Sequence, residues 1–152
     1  MNIRIRFATI DDVDLYFQWV NDEEVRRNSF SSGIIDLATH KKWFEKKLKD
    51  PDTTFYLFLL DEIPAGQVRI EKNELETVVS ISVDKKFRGE KLGVDFLRSS
   101  CKLFLERNPD RMLNAYIKTE NTSSLRVFHQ AGFRNDSSLL VQGMKSIKLI
   151  FP

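Results

Sequence analysis

The sequence predicts a mixed α/β or α+β domain built on one central sheet, and three kinds of segment support this class. Short runs rich in Ile, Val, Phe and Thr are typical of strands, and longer runs with apolar residues three or four apart are typical of helices. Three strand-like runs follow one another in mid-chain with short connections, which indicates an antiparallel meander. Helices and strands then alternate to the end of the chain.

The elements can be placed in order from the change of period along the chain. Apolar and charged residues alternate over residues 2–8, which predicts a strand with one buried face. Helical spacing covers residues 11–21, with Thr9 and Asp12 as a capping pair at its start. The later elements are a helix from Asp36 to just before Asp50-Pro51, strands 54–60, 66–71 and 76–83, helix 92–106, strand 112–117, helix 122–131 and strand 145–151.

Two connections carry information beyond the element order. The strands before and after helix 92–106 should run parallel, because a crossover helix joins them. Residues 21–33 are polar and follow neither a helical nor a strand period, so we expect an irregular loop there. Segments of this kind carry function more often than core residues.

The composition is that of one ordinary domain spanning residues 1–152. Hydrophobic residues make up 41% and charged residues 30% of the chain, which fits neither a disordered nor a membrane protein. A net charge of +2 without a long basic tract argues against nucleic acid as a partner. The single cysteine, Cys101, excludes an intramolecular disulfide, and the N-terminal segment is not a signal peptide or an anchor. We therefore expect a cytoplasmic protein.

A short glycine-containing turn, FRGEKLG at residues 87–93, lies between a predicted strand and a predicted helix. Free N–H groups and the positive end of the helix would converge there, as in an anion site. A glycine before a helix is also common in loops that bind nothing, so both interpretations stand on these residues alone. The P-loop and dinucleotide patterns are absent, because no Gly-Lys-Ser or Gly-Lys-Thr occurs and the three-glycine spacing is missing.

Two segments, ISVDKKFRGEKLG at residues 81–93 and KTENTSSLRVFHQAGF at residues 118–133, together resemble the signature regions of the GCN5-related N-acetyltransferase (GNAT) superfamily. The first family pattern is Gln/Arg-x-x-Gly-x-Gly/Ala, and Arg88 and Gly93 match its ends. The resemblance spans essentially the whole chain. It implies a mostly antiparallel sheet of about seven strands, two of them parallel and splayed, with about four flanking helices and acetyl-CoA in the cleft as cosubstrate.

The resemblance also assigns residues to acetyl-CoA. Backbone groups of residues 81–83 would pair with the pantetheine amides, and amides of residues 88–94 would bind the pyrophosphate. Asn121 could equally cap its helix, and Phe128 could equally belong to the core. The predicted cofactor residues are Ile81, Ser82, Val83, Arg88, Gly89, Glu90, Lys91, Leu92, Gly93, Val94, Asn121, Ser124 and Phe128.

Lys91 departs from the family pattern, which has glycine at this position. Its amide can still donate if the turn keeps a negative φ, and its ammonium could reach a coenzyme phosphate. Otherwise the loop has drifted and binds weakly. We expect a functional loop, because the rest of both signature regions is intact.

Acetyl transfer needs a neutral amine and a proton for the leaving thiolate. Many relatives supply that proton from a tyrosine at the position that Phe128 occupies here, so the usual donor is absent. Tyr116, on the preceding strand, is the nearest replacement. Glu76, or a water held by Ser80 or Ser82, is the candidate base.

The N-terminal half resembles the GNAT branch that acetylates the 4-amino group of a nucleotide-linked 4-amino-4,6-dideoxy sugar in pseudaminic acid biosynthesis. The matching features are W-x-N-D-x-x-V-R at residues 19–26, N-S-F at residues 28–30 and H-x-x-W-F at residues 40–44. Arginines would grip the diphosphate, although Arg26 could be a solvated loop charge and His40 a local hydrogen bonder. The predicted substrate residues are Arg26, Asn28, Ser29, Phe30, His40 and Arg69.

We therefore expect an acetyl-CoA-dependent N-acetyltransferase that acts on the 4-amino group of a nucleotide-linked 4-amino-4,6-dideoxy sugar by direct attack, without a metal, and a homodimer is the assembly considered. An amine on a sugar ring should have a pKa of about 8, so about 10% of it is neutral at pH 7 and no strong base is essential. The alternatives are acetylation of a protein N-terminus, such as that of a ribosomal protein, acetylation of a polyamine, and a non-catalytic acyl-CoA-binding module.

Overall fold

The computed structural model describes residues 2–31, 33–89 and 91–152 of the 152-residue chain. Its strands are β1 (Ile3–Phe7), β2 (Thr53–Leu60), β3 (Ile63–Lys72), β4 (Thr77–Val83), β5 (Leu113–Lys118), β6 (Arg134–Val141) and β7 (Met144–Phe151). Its helices are α1 (Val13–Val20), α2 (Glu23–Asn28), α3 (Leu37–Lys49), α4 (Leu92–Arg107) and α5 (Thr122–Gln130). Single 3-10 turns lie at Ile10–Asp12 and Lys85–Phe87.

The seven strands form one sheet in the order β1-β2-β3-β4-β5-β7-β6. Neighbouring strands are antiparallel except β4 and β5, which run parallel because the crossover helix α4 joins them. These two strands pair at only two positions, Thr77 with Leu113 and Val78 with Asn114. Beyond them β4 stays with β3 as far as Val83, and β5 stays with β7. The predicted splayed parallel pair is confirmed, and it opens the sheet at one end.

The larger apolar core lies between the sheet and helices α4 and α5. Strand side chains alternate between faces, so Val79, Leu113 and Ala115 enter this core while their neighbours face the other side. Phe96 of α4 stacks on Phe58 of β2 with ring centroids 4.2 Å apart. A second apolar cluster packs α1 and α3 against β2. Among the described residues it contains no side chain of β3, β4 or β5, so polar side chains of these strands on the same face stay available for a site. That cluster is formed by Tyr16, Trp19, Phe44, Phe55 and Leu57.

Helix α2 corrects the expectation of an irregular loop at residues 21–33. The helix has six residues and no buried side chain, so no apolar stripe announces it in the sequence. Its start depends on Asp22, whose carboxylate accepts hydrogen bonds from the N–H groups of Glu24 at 3.1 Å and Val25 at 3.2 Å. A local cap thus makes a helix where periodicity predicts none.

Strand β6 is absent from the individually placed predictions, although the expected total of about seven strands includes room for it. Most of its side chains are exposed because it forms an edge of the sheet, so it lacks the alternation of a half-buried strand. Its turn into β7 contains Gln142 and Gly143 with φ values of 48° and 79°. Two successive positive φ values are typical of a tight hairpin turn, which sets the pairing of β6 with β7.

No helix in the described ranges is both long and apolar enough to cross a bilayer. Cys101 is buried on α4, and burial raises the pKa of its thiol to about 12. The thiol therefore stays protonated near neutral pH and is a poor nucleophile.

Candidate active site

The site is built around the cleft where β4 and β5 separate. The Asp84 N–H donates to the Ala65 carbonyl at 2.8 Å, so the alternation of this antiparallel ladder turns the backbone groups of Ser82 towards β3. Ile81 and Val83 accordingly turn theirs towards the cleft. Two of the three predicted backbone positions thus offer a strand edge that β5 leaves unpaired, whereas Ser82 contributes its side chain instead.

The turn from β4 to α4 holds two residues in the left-handed region. Gly89 has a φ of 83° and Lys91 a φ of 64°. The negative φ that would leave a non-glycine residue unstrained is therefore not present at Lys91, and the positive value explains why glycine suits this position. Lys91 immediately precedes α4, so the free N–H groups of the first helical turn follow it directly. Glu90, another predicted cofactor residue, lies outside the described residues.

The Arg88 side chain is engaged with other parts of the fold. Its Nε donates to the Val83 carbonyl at 3.0 Å, and its Nη atoms each lie 2.8 Å from a carboxylate, one of Asp22 and one of Glu24. Burial alone would raise the pKa of Asp22, but the hydrogen bonds from Arg88 and from the Val25 N–H outweigh it and lower that pKa. Arg88 can therefore offer its backbone to a phosphate while its guanidinium holds α2.

The first turn of α4 is anchored in the core. Leu92 and Val94 are buried, and Gly93 between them brings the helix close to β4 and α5. A Cβ at Gly93 would lie 3.5 Å from the nearest side-chain carbons of Val83 and Val127, an ordinary contact distance. The helix start is therefore held in place by apolar packing around its free N–H groups.

The second signature region begins at a helix cap. The side-chain oxygen of Asn121 accepts from the Ser124 N–H at 3.3 Å and from the Ser123 hydroxyl at 3.2 Å. Phe128 is buried and packs edge-on against Phe133, with ring centroids 4.9 Å apart. The capping and core interpretations thus describe Asn121 and Phe128, while Ser124 is half-buried in the first turn of α5.

Tyr116 and Glu76 meet on the sheet face opposite α4 and α5. The Tyr116 hydroxyl donates to Glu76 Oε2 at 2.5 Å, joining β5 to the residue before β4. Burial, together with the hydrogen bond to Glu76 and the charges of Glu76 and Asp136, raises the pKa of Tyr116 to about 12. The fold thus brings the predicted acid and the predicted base into contact.

The raised pKa of Tyr116 bears on its predicted role. A cysteine-like thiol has a pKa of about 8.5, so a phenol with a pKa of about 12 does not readily protonate its thiolate. A hydroxyl that already donates to a carboxylate is better suited to pass a proton from an amine to that carboxylate. The geometry therefore favours Tyr116 as a proton relay rather than as the acid.

Gln67 is a cleft residue that sequence reasoning missed. It lies opposite Ser82 in the β3–β4 register, and its Nε2 donates to Ser82 Oγ at 3.0 Å. Its Oε1 is buried without a partner in the described part of the chain. A buried acceptor of this kind is suited to an N–H group of a bound molecule. Its position depends on strand register, which has no local sequence signal.

Arg69 lies on the same face, between α3 and the sheet. Its Nε is 2.6 Å from Glu71 Oε1, and its guanidinium carbon is 5.0 Å from the centre of the Trp43 ring. Lys47 of α3 also pairs with Glu71, at 2.8 Å. The charge of Arg69 is therefore balanced by Glu71, which weakens its predicted role as a phosphate fork, although its Nε makes no hydrogen bond with the described residues.

Arg26 and Ser29 are tied into the segment that follows α2. Arg26 Nη1 donates to the carbonyls of Ser31 at 2.7 Å and Gly33 at 3.1 Å, and Nη2 donates to Ser29 Oγ at 3.1 Å. The Ser29 hydroxyl donates to the Val25 carbonyl at 2.6 Å. Burial lowers the pKa of Arg26. These contacts account for both residues as shapers of the segment rather than as open ligand groups.

The other predicted substrate residues divide into two groups. His40 is buried, its Nε2 lies 3.2 Å from the Val13 carbonyl, and its ring stacks on Phe44. Burial lowers the pKa of His40, so the local hydrogen-bonding interpretation describes it. Asn28 and Phe30 are half-buried at the end of α2 and just beyond it, and their side chains remain candidates for substrate contact.

Lys118 is a second residue that sequence reasoning missed. It is only 6% exposed on β5, and its Nζ donates to the Arg27 carbonyl of α2 at 3.0 Å. Since Ala115 and Ile117 enter the core, Lys118 shares the opposite face with Tyr116. It stands in the splayed half of β5, beyond the last pair with β4. A buried lysine here connects the cleft to α2.

A cavity of about 690 Å³ lies next to the segment that precedes Glu76. Asn73 lines it, and the Asn73 side-chain oxygen accepts from the Glu76 N–H at 2.9 Å. Its charged lining residues are Asp50, Asp52, Glu71, Glu74, Lys47, Lys72 and Arg111. The lining residues thus carry one more carboxylate than cations, and Arg69, which pairs with Glu71, lies outside the lining. We call the sheet face opposite α4 and α5, which carries Tyr116, the acceptor face.

The residues around the cleft fit acetyl-CoA. Backbone groups of Ile81 and the N–H of Val83 are left unpaired by β5 and suit the amides of a pantetheine arm, whereas the Val83 carbonyl is taken by Arg88. The turn with Gly89 and Lys91 is followed by the free N–H groups of the first turn of α4. Within residues 2–31, 33–89 and 91–152, no group of three or more His, Cys, Asp or Glu side chains is arranged to hold a metal ion.

Comparison with known proteins agrees with this geometry. The family model for an acetyltransferase (GNAT) domain matches residues 2–134. The uncharacterized N-acetyltransferase YfmK of Bacillus subtilis (strain 168) is 29% identical over 134 residues, which cover 84% of each chain. A sequence match over most of the chain thus includes both signature regions and the segment before them.

Two solved structures share the fold. An aminoglycoside acetyltransferase, AAC(6')-Ib in complex with coenzyme A, has a TM-score of 0.83 at 15% identity and covers 99% of this chain and 94% of its own. A spermidine N-acetyltransferase from Vibrio cholerae, in complex with CoA and spermine, has a TM-score of 0.87 at 10% identity and covers 98% and 94%. At identities this low, the high TM-scores establish a common fold and nothing more.

Proposed function

Because the chain belongs to the acetyltransferase (GNAT) domain family and is an acetyl-CoA-dependent N-acetyltransferase, we propose that it acetylates a primary amine of a small molecule beside Glu76 and Tyr116. The observation that carries this proposal is the Tyr116–Glu76 hydrogen bond on the open face of the splayed strands. The opposite face is filled by the core under α4 and α5, so an acceptor has access only from this side.

The chain's own groups divide the work of the reaction. The cleft-facing backbone groups of Ile81 and the N–H of Val83 orient the pantetheine arm, and amides of the β4–α4 turn bind the pyrophosphate. When bound, acetyl-CoA supplies the acetyl thioester. The Gln67 side-chain oxygen accepts a hydrogen bond from one N–H of the acceptor amine. This bond orients the lone pair of the amine nitrogen towards the thioester carbonyl carbon.

Proton transfer runs through Tyr116 to Glu76. As the C–N bond forms and the C–S bond breaks, the amine gives a proton to the Tyr116 oxygen while Tyr116 gives its own proton to Glu76 Oε2. The high pKa of Tyr116 keeps its hydroxyl in the form that can donate. Phe128 fills the usual donor position, so the leaving sulfur takes its proton from water. No covalent enzyme intermediate is formed.

The charge of the acceptor face favours a cationic amine. The cavity next to the segment that precedes Glu76 has one more carboxylate than cations, and a polyamine or an aminoglycoside would place further ammonium groups there. An alkyl amine with a pKa of about 10.4 is less than about 0.1% neutral at pH 7, so such a substrate needs the base that Glu76 provides. This acceptor class fits the chemistry of the site best.

A nucleotide-linked 4-amino-4,6-dideoxy sugar is the second candidate acceptor. Two cationic residues near α2 favour it, because Arg27 is exposed and Lys118 is held by a backbone carbonyl rather than by a carboxylate among the described residues. Phosphate oxygens could bind at that end while Asn28 and Phe30 contact the sugar or the base. Against it, Arg26 and Arg69 already have partners within the protein.

A thiol-release assay tests the proposal. Purified protein is given acetyl-CoA with spermidine, kanamycin, a UDP-linked 4-amino sugar or a peptide with a free N-terminus. We expect release with at least one small amine and none with the peptide. Release with the peptide alone would assign the chain to protein N-termini, and binding of CoA without release on any amine would make it a non-catalytic acyl-CoA-binding module. The rate of thiol release with the UDP-linked sugar, compared with the rate with spermidine, decides between the two acceptor classes.

A further inference from the structure

Helix α2 spans the opening of the cleft, and contacts fix it on both sides. At its start, Asp22 and Glu24 pair with Arg88 of the β4–α4 turn, each at 2.8 Å. At its end, the Arg27 carbonyl accepts from Lys118 of β5 at 3.0 Å. The two splayed strands are therefore bridged by this helix on the acceptor face.

A further bond ties the same region to the turn. Trp19 of α1 donates from Nε1 to Asp84 Oδ2 at 2.9 Å, and Asp84 in turn accepts from the Lys86 N–H at 2.9 Å. The turn that precedes α4 is thus joined to the α1–α2 region by a neutral donor and by the Arg88 fork. A displacement of the turn would therefore shift the start of α2 through these contacts.

Helix α2 also shapes the segment after it. Arg26 holds the Ser31 and Gly33 carbonyls, and the Asn21 amide exchanges hydrogen bonds with Ile35 at 2.7 and 2.9 Å. The half-buried Phe30 lies within this segment. The helix and the segment are therefore bonded to each other, and they carry the candidate substrate residues Asn28 and Phe30.

We propose that α2 couples the two binding sites, with Asp22, Glu24 and Lys118 as positioning residues that set the acceptor wall according to the acetyl-CoA turn. This inference rests on the proposed function, since it takes the described residues 88–89 and 91–94 as the pyrophosphate turn. Phosphate binding orders that turn, the ordered turn holds Arg88, and Arg88 holds α2. Because coupling is reciprocal, a bound acceptor tightens acetyl-CoA by the same factor.

Glu24→Gln is the sharpest variant, because its carboxylate is 41% exposed and its loss should not unfold the protein. Glu23→Gln is the matched control, since Glu23 is the exposed neighbour in the same helical turn and has no ion pair among the described residues. Lys118→Met removes the second anchor with little change of shape, and Lys145→Met, on an exposed strand position, controls for it.

Hydrogen–deuterium exchange with and without coenzyme A reads the coupling directly. We expect saturating coenzyme A to slow exchange about three- to tenfold in residues 21–31, as well as in residues 88–95, for the native protein and for Glu23→Gln. In Glu24→Gln the slowing of residues 21–31 should fall to less than half, while residues 88–95 remain protected. Lys118→Met should speed exchange of residues 25–31 in the free protein, unlike Lys145→Met.

Steady-state kinetics give the second readout. Glu24→Gln should raise the KM of the best amine from the thiol-release panel about three- to tenfold with kcat nearly unchanged, whereas Glu23→Gln leaves both constants as they are. Protection of residues 88–95 without any slowing of residues 21–31 would overturn the coupling and leave the proposed function intact. Absence of protection at residues 88–95 would overturn both, because the turn would then not bind the coenzyme.

Discussion

Lys91 shows how one residue can conflict with the backbone it occupies. It holds a φ of 64° immediately before α4, where a side chain costs free energy that glycine avoids. The sequence allowed a negative φ at this position, because a motif reveals residue type but not conformation. Phosphate binding by the Lys91 ammonium would offset the free-energy cost of this positive φ.

We predict that Lys91→Gly raises the free energy of unfolding by about 0.5–1 kcal/mol, because relief of the left-handed conformation exceeds the entropy cost of glycine. Thermal unfolding measures the stability, and calorimetric titration with coenzyme A measures the affinity. Lys91→Ala is the control, since it removes the ammonium and keeps the strain. Equal losses of coenzyme affinity in both variants would assign phosphate binding to the charge, and unchanged affinity in both would reduce the lysine to a tolerated substitution.

The Tyr116 hydroxyl makes the stability of the fold depend on pH. Its pKa is about 12 in the folded protein and about 10 when unfolded, so its contribution to stability is complete below pH 10 and is lost as pH rises towards 12. Glu76→Gln removes a charge and a strong acceptor, so the pKa of Tyr116 should fall towards 10. NMR titration of the tyrosine Cζ resonance measures this, and an unchanged pKa in Glu76→Gln would contradict the contact.

Gly66 of β3 allows β4 and α4 to lie close to its backbone. A Cβ at this position would lie 2.8 Å from the Ser82 carbonyl oxygen and 3.0 Å from a ring carbon of Phe96. Neither neighbour can withdraw easily, since one is backbone of a central strand and the other stacks on Phe58. The same close approach sets Ser82 beside Gln67, so packing at Gly66 supports the acceptor face.

Gly66→Ala should therefore lower the free energy of unfolding by about 1–3 kcal/mol, through overpacking of this junction. Gly33→Ala is the matched control, because no atom lies within 4 Å of a Cβ built there. Its effect should stay within about 0.5 kcal/mol, as for ordinary surface positions. Chemical denaturation measures both, and equal effects of the two substitutions would show that the strand junction tolerates a methyl group.

Elements with a strong period were predictable, and elements without one were not. The meander, the helix 92–106 and the parallel pair were foreseen because apolar spacing and crossover geometry leave few choices. Helix α2 and strand β6 were not, since one depends on an aspartate cap and the other is an exposed edge. Contacts between distant segments, such as Arg88 with Asp22 or Gln67 with Ser82, depend on tertiary register and leave no local signal.

Across the whole molecule, the turn before α4 and the Tyr116–Glu76 pair are separated along the length of β4. The turn before α4 lies at the open end of β4, and Glu76 lies at its paired end. Between them, Lys118 lies near α2, and the cavity lining carries one more carboxylate than cations. An amine drawn towards the carboxylates thus arrives next to the pair that can remove its proton.

The Glu76→Gln variant tests this account most directly, through kcat/KM of acetyl transfer to the best small amine at pH 7 and pH 9. Loss of the base should lower kcat/KM about 100-fold at pH 7, and less at pH 9, where more of the amine is already neutral. Glu120→Gln, an exposed carboxylate on the loop before α5, should match the native protein. A Glu76→Gln variant with native kcat/KM at both pH values would contradict the assignment of proton transfer to Tyr116 and Glu76.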